Sequence, residues 1–256
     1  MNAPNKPGTD GVREDRGAGL GRVTLLNIDC MKYMREQPTG AFDLAIVDPP
    51  YGINAANMSM GNNPNRADGW HREESTAVKA RKGRLNQGSG KLKNRALNTM
   101  RCDWDFYPPT ADYFTELFRV SKKQIIWGGN YFNLPPSRCV ICWDKVQPWE
   151  NFSQWEMAWT SFDKVAPLFR YSNTGGANAE LKIHPTQKPR KLYEWLLNKF
   201  ATPDMRILDT HLGSGSSAIA AHYFGCEFVG CEIDADYYAA AVARFDHETK
   251  QQGLAL

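Results

Sequence analysis

Apolar residues along the chain come in two spacings. Short apolar runs, bounded by turn residues, read as strands: "RVTLLNID" (22–29), "FDLAIV" (42–47), "QIIWGG" (124–129), "RCVICW" (138–143), "WEMAWTSF" (155–162), "RILD" (206–209) and "EFVGCEID" (227–234). "FDLAIV" is continuous enough to be covered on both faces, as in a parallel sheet. Helical spacing marks "MKYMREQP" (31–38), "TADYFTELFRVS" (110–121), "KPRKLYEWLLNKF" (188–200, starting near Pro189), "SGSSAIAAHYFG" (214–225) and "ADYYAAAVARFDHE" (235–248). Strand and helix alternate at both ends of the chain, which predicts an α/β fold around a parallel sheet. Met1–Gly21 is rich in Gly, Pro, Asn and charge and is expected to be disordered. Asp163–Ile183 reads as loop, and there is no internal repeat.

Composition narrows this. With 256 residues and 42% hydrophobic content the chain can bury one sizeable α/β core. No apolar run is long enough to span a membrane, and the N-terminus lacks the apolar stretch of a signal peptide, so a cytoplasmic protein is expected. The net charge of +3 says little about partners. Of six cysteines, Cys139 and Cys142 have CxxC spacing, but on a strand residues three apart point to opposite faces. No second CxxC or histidine pair completes a zinc site, so reduced buried thiols and no metal are expected.

Two stretches carry candidate chemistry. In "LAIVDPPYG" (44–52) a buried strand ends on Asp48, and Pro49 and Pro50 then forbid both helix and ladder. The result is a stiff backbone that fixes the Asp48 carboxylate and the Pro49 carbonyl beside the Tyr51 ring, with Gly52 releasing the chain. Acceptors at a strand's carboxyl end are placed where open α/β sheets bind ligands, although a plain strand followed by a proline turn has the same local form. In "RILDTHLGSGSSAIAAHYFGCEFVGCEID" (206–234) a strand ends at Asp209, a turn carries Gly213, Ser214 and Gly215, a helix follows, and the next strand ends on Glu232 and Asp234. This is nucleotide-binding logic: glycines admit close backbone approach, and the acid accepts hydrogen bonds from ribose hydroxyls. A structural turn in an ordinary α/β unit is the alternative. The turn lacks a complete GxGxxG, so an adenosine without a pyrophosphate fits better, and S-adenosyl-L-methionine is such a ligand.

Together, "DPPYG", the glycine turn after "LD" and "HPTQKP" (184–189) resemble the beta group of adenine-N6/cytosine-N4 DNA methyltransferases, in which the catalytic motif precedes the glycine motif, as Asp48 precedes Gly213 here. The resemblance covers 23–53 and 125 to about 245. It implies a Rossmann-like methyltransferase fold: a seven-stranded, mostly parallel sheet with helices on both faces, in one catalytic domain over 22–256. It implies catalysis by Asp48, Pro49, Pro50 and Tyr51, and a cofactor site of Asp29, Cys30, His184, Lys188, Asp209, His211, Gly213, Ser214, Gly215, Glu232 and Asp234. Lys188 and His184 are expected near the methionine carboxylate or its loop, and Asp29 near the adenine amine. Phe132 and Trp143 stand where the family has aromatic pocket residues. "DPPY" is the form that favours adenine; cytosine enzymes more often carry serine at the first position. Thr210 and His211 depart from the family's Pro-Phe, although an imidazole still stacks. His222 and His247 read as core histidines.

The stretch from about 53 to 103 has no periodicity but holds Arg66, Arg72, Lys79, Arg81, Lys82, Arg84, Lys91, Lys93, Arg95 and Arg101 against Asp68, Glu73 and Glu74. It reads as a DNA-contacting arm for double-stranded DNA, with a merely solvated insertion as the alternative. Recognition falls to this arm, to the short 163–183 loop, or to the second subunit of a homodimer, which the resemblance allows. Cytosine-N4 transfer, an RNA or protein substrate, and a non-catalytic DNA-binding protein are the competing readings. The recognition sequence and any cognate restriction enzyme are not legible, and a bacterial or phage origin is what the resemblance implies.

Overall fold

The structure, a computed structural model, describes residues 11–16, 21–53, 105–147, 153–172, 180, 183–184 and 186–250. In chain order its elements are β1 (Val12–Arg16), β2 (Arg22–Asn27), α1 (Cys30–Glu36), β3 (Phe42–Val47), α2 (Ala111–Val120), β4 (Ser121–Trp127), β5 (Ile141–Asp144), β6 (Trp155–Thr160), β7 (Leu168–Arg170), α3 (Arg190–Phe200), β8 (Arg206–Asp209), α4 (Ser216–Phe224), β9 (Glu227–Glu232) and α5 (Ala235–Lys250). No helix among the described residues is long and apolar enough to cross a membrane.

The described strands form one sheet in the order β1-β2-β9-β8-β3-β4-β6-β5-β7. Pairing is parallel from β2 through β9, β8 and β3 to β4, and between β5 and β7; β1·β2, β4·β6 and β5·β6 are antiparallel. The mostly parallel sheet is as expected, but it has nine strands rather than seven. The two additions are β1, inside the segment expected to be disordered, and β7, inside the segment expected to be loop. Both lie at sheet edges, where a strand needs only one ladder; "VREDR" is polar and "LFR" is too short to show alternation, so neither announces itself. Arg13 also pairs with Asp246 of α5 at 2.7 Å.

Alternation along β3 divides the core. Leu44 and Ile46 face one layer, with Leu192, Leu196, Leu197 and Phe200 of α3, Ala218–Ala221 of α4, and Ala241 and Phe245 of α5. Ala45 and Val47 face the other, where Phe42 at the start of the strand also packs, with Met34 of α1 and Tyr113, Leu117 and Val120 of α2. Helices therefore cover both faces, and β3 is buried along nearly its whole length.

The order β9-β8-β3-β4 holds the feature that matters most. From β8 the chain moves on to β9 on one side; from β3 it moves on to β4 on the other. The carboxyl ends of β8 and β3 thus flank the topological switch point, where open α/β sheets leave a crevice. Asp209 and Asp48 stand at those two ends, brought together across 160 residues of sequence by the parallel β3·β8 ladder.

Candidate active site

Asp48 continues the alternation of Leu44 and Ile46, so its side chain falls on the face covered by α3 and α4. Its two oxygens have defined partners. Tyr51 Oη donates to Asp48 Oδ1 at 2.7 Å, and Lys188 Nζ donates to Oδ2 at 2.6 Å and to Tyr51 Oη at 3.2 Å. Lys188 arrives from the segment just before α3 and is buried. A second carboxylate, Glu156 of β6, lies 3.1 Å from Lys188 Nζ, and the Lys145 ammonium just beyond β5 pairs with its other oxygen. Burial by itself raises the Glu156 carboxyl, but Lys188 and Lys145 outweigh it and hold the group down at about 2. Burial lowers the Lys188 ammonium, and Asp48 and Glu156 more than offset this, so the amine stays charged. Burial pushes the Asp48 carboxyl up, against the pull of Lys188.

The backbone of the Pro-Pro-Tyr turn is pinned from outside. Asp105, itself buried, accepts the Tyr51 N–H at 2.7 Å and the Gly52 N–H at 3.0 Å on one oxygen. The Tyr51 ring lies parallel to Tyr131, with centroids 5.0 Å apart, and edge-on to Phe132. Tyr131 is half exposed, so the aromatic stack reaches the surface. Gly128 makes this possible: a Cβ there would lie 2.2 Å from the Tyr51 ring, and its φ of +69° already favours glycine.

The glycine turn occupies the neighbouring strand ends. Gly213 (φ +52°) and Gly215 (φ +74°) adopt left-handed backbone, and Gly215 caps α4. Asp209 accepts the Ser217 hydroxyl at 2.6 Å and the His211 N–H at 3.0 Å, so its buried carboxyl braces the turn. Burial, against those two donors, raises it to about 7. Glu232 accepts the Gly213 N–H on one oxygen and the Asp234 N–H on the other, which fixes the carboxylate at the mouth of the turn. From α5, Arg244 donates to the Ser214 carbonyl and the Ser216 hydroxyl and pairs with Glu180 and Glu248. Asp29 is exposed and caps α1 through the Met31 N–H; Asp234 caps α5 through the Asp236 and Tyr237 N–H groups. Burial pushes the Cys30 thiol up to about 12, so it is no nucleophile. His211 donates no charge: burial takes it down to about 4, and it packs edge-on against Tyr113. The His184 ring lies 3.7 Å from the position a Cβ on Gly213 would take and 4.4 Å from the Tyr237 ring centroid.

Most of the residues singled out by sequence therefore share one edge of the sheet. Lys188 has a partner that the sequence did not announce. Expected near the methionine carboxylate or its loop, it sits on Asp48 and Glu156: the segment before α3 leaves the glycine turn at His184 and reaches the end of β3 at Lys188. Trp143 is core, with its indole N–H donated to the Tyr171 carbonyl. His222 is buried as expected, whereas His247 lies exposed on the outer side of α5. Arg66, Arg72, Lys79, Arg81, Lys82, Arg84, Lys91, Lys93, Arg95 and Arg101 lie outside the described residues. Sequence reasoning missed Glu156, Lys145, Asp105 and Arg244. Glu156 had a signal, a lone acid inside the aromatic strand "WEMAW"; the others look like ordinary surface charges in one dimension.

The chain is similar to known proteins over most of its length. Residues 42–243 match the N6_N4_Mtase family model, described as DNA methylase. The chain is 22% identical over 260 residues to the Type II methyltransferase M2.DpnII of Streptococcus pneumoniae, covering 90% of this chain and 91% of that one. It is 41% identical over 54 residues to the Type II methyltransferase M1.MboII of Moraxella bovis, a match that spans only 21% of either protein. Among solved structures, M1.HpyAVI in complex with SAM superimposes with a TM-score of 0.51 at 17% identity, over 87% of this chain and 99% of that one. The cytosine-N4-specific PvuII DNA methyltransferase gives 0.52 at 14% identity, over 90% and 91%. These two likenesses are of fold. With the family match spanning the strands that carry Asp48, the glycine turn and Glu232, the chain belongs to the N6/N4 DNA methylase family.

Proposed function

We propose that this protein transfers a methyl group from S-adenosyl-L-methionine to the N6 amine of adenine in duplex DNA. The observation that carries the reading is Asp48-Pro-Pro-Tyr51 at the carboxyl end of β3, directly beside the glycine turn at the end of β8. The turn suits an adenosine ligand. Glu232 is anchored with a lone pair still available on each oxygen, Ile233 next to it is exposed and apolar, and Gly213 and Gly215 leave the backbone open to close approach. Gly213, Glu232, Ser214, His184, His211 and Asp29 are the residues that hold it, with Asp209 and Asp234 bracing them. When bound, the cofactor supplies an electrophilic methyl group.

The chain's own residues do the rest. The target base is extruded from the duplex at a cost of about a few kcal/mol, and the Tyr51–Tyr131 platform returns about 1–3 kcal/mol by stacking. An aromatic exocyclic amine is a weak nucleophile because its lone pair is delocalised into the ring. The Asp48 carboxylate and the Pro49 carbonyl each accept one of its N–H bonds, which shifts the nitrogen toward tetrahedral geometry. The two prolines and Asp105 hold these acceptors in place before the base arrives, so reorganisation is avoided. The amine loses its proton as the new N–C bond forms. Burial favours Asp48 as the acceptor for that proton.

The aspartate, rather than serine, before Pro-Pro-Tyr supports adenine over cytosine. Basic residues 66–101 supply the phosphate contacts in this reading, and a homodimer suits a palindromic site. The test is methyl transfer from labelled cofactor to unmethylated duplex DNA, with nucleoside analysis, for wild type and Asp48→Ala. N6-methyladenine from wild type alone is the expected result. N4-methylcytosine would overturn the base assignment, and unmodified DNA the substrate class.

A further inference from the structure

Glu156 is the acid of β6, and its two oxygens live in different surroundings. Oε1 is tethered by Lys145, which is itself buried. Oε2 is shielded from solvent and lies 3.1 Å from Lys188 Nζ, yet it receives no hydrogen bond of good alignment. Nζ instead directs its N–H bonds at Asp48 Oδ2 and Tyr51 Oη. A buried carboxylate oxygen held by an ion pair without an aligned hydrogen bond gains from a better-directed donor. A small rotation of the Lys188 side chain would supply that donor.

The same ammonium stands in the way of the reaction proposed above, on which this inference rests. With Tyr51 Oη on Oδ1 and Lys188 Nζ on Oδ2, both Asp48 oxygens are engaged by donors. An N–H donor 2.6 Å from the carboxylate is what the target amine must itself become. We infer that Glu156, tethered by Lys145, is a positioning residue that receives Lys188 Nζ when the amine docks on Asp48. The ammonium exchanges one carboxylate for another within the same buried site. No proton moves and no charge leaves, so the exchange needs only side-chain rotation. The resting structure holds Lys188 as a stand-in for the substrate amine, and Glu156 is the place to which it retreats.

The test is steady-state kinetics of wild type, Glu156→Gln and Glu156→Asp, with the fluorescence of a 2-aminopurine placed beside the target adenine as a readout independent of turnover. Glu156→Gln removes the charge that attracts Lys188. Its kcat is expected to fall about tenfold or more, with the KM for DNA and cofactor affinity within about threefold of wild type. Docking of the extruded base, read by 2-aminopurine, falls in parallel, and Glu156→Asp regains most of both. A kcat within about twofold of wild type overturns the inference, as does a loss that Glu156→Asp fails to restore. Should Glu156→Gln not fold, Lys145→Gln frees the Glu156 tether and is read by the same criteria. A wild type that methylates no base sinks the proposed function and this inference together; an active wild type with an equally active Glu156→Gln sinks this inference alone.

Discussion

Lys188 Nζ and Asp48 Oδ2 are 2.6 Å apart in a largely buried ion pair that spans 140 positions of sequence and joins the segment before α3 to the end of β3. The pair is closed over by Tyr51 and by the Trp127 ring, whose centroid lies 5.3 Å from Nζ. Removing one member of such a pair strands the other charge in a poorly solvated place.

Lys188→Met is therefore expected to lower unfolding free energy by about 3–5 kcal/mol. Adding Asp48→Asn should return part of that loss, because a neutral amide needs no counter-charge. Urea unfolding of the two single variants and the double variant measures this. Strictly additive losses would mean the two side chains are not coupled.

Gly128 and Gly225 make a matched comparison. Both have left-handed backbone, at φ +69° and +89°, but an added Cβ meets the Tyr51 ring at the first and nothing within 4 Å at the second. Gly225→Ala should cost about 1–2 kcal/mol of stability from backbone strain and leave methyl transfer intact. Gly128→Ala should also displace Tyr51 and lower kcat about a hundredfold. Equal activity in the two variants would dissociate Tyr51 placement from catalysis.

Asp105 supports two backbone N–H groups of the catalytic turn with one oxygen. Asp105→Ala leaves both without that acceptor and is expected to cost about 3 kcal/mol, while Asp105→Asn keeps an acceptor and loses less. Thermal melts with single-turnover rates check this. An alanine variant with wild-type melting and rate would show that the prolines alone hold the turn.

His211 ties stability to pH. Burial, partly opposed by the charge of Asp29, takes its imidazole down to about 4 in the folded protein, whereas an unfolded chain titrates at about 6.5. Between those values the unfolded state binds more protons, so stability falls as pH falls from about 6.5 toward 4. At pH 5 the His211 share of the loss is about 2 kcal/mol. His211→Phe should flatten the dependence over this window, read as the denaturant midpoint at pH 7 and pH 5. An unchanged slope would place His211 in water.

The elements and the two chemical motifs are legible along the chain because both are local. Continuous apolar runs, helical stripes, the double proline after Asp48 and the glycines around Ser214 impose their backbone wherever they stand. The edge strands β1, which is polar, and β7, which is three residues long, are not legible in this way, since a ladder on one side leaves little trace in side-chain pattern. That Asp48 and Asp209 are neighbours follows from the parallel pairing of β3 with β8, which no local pattern encodes. That Lys188 faces Asp48, that Glu156 and Lys145 stand behind it, and that Asp105 pins the turn are likewise products of folding. A charged side chain looks the same in one dimension whether it is solvated or buried. Its partner, and therefore its work, is fixed by strand order and by the path of the chain across the sheet.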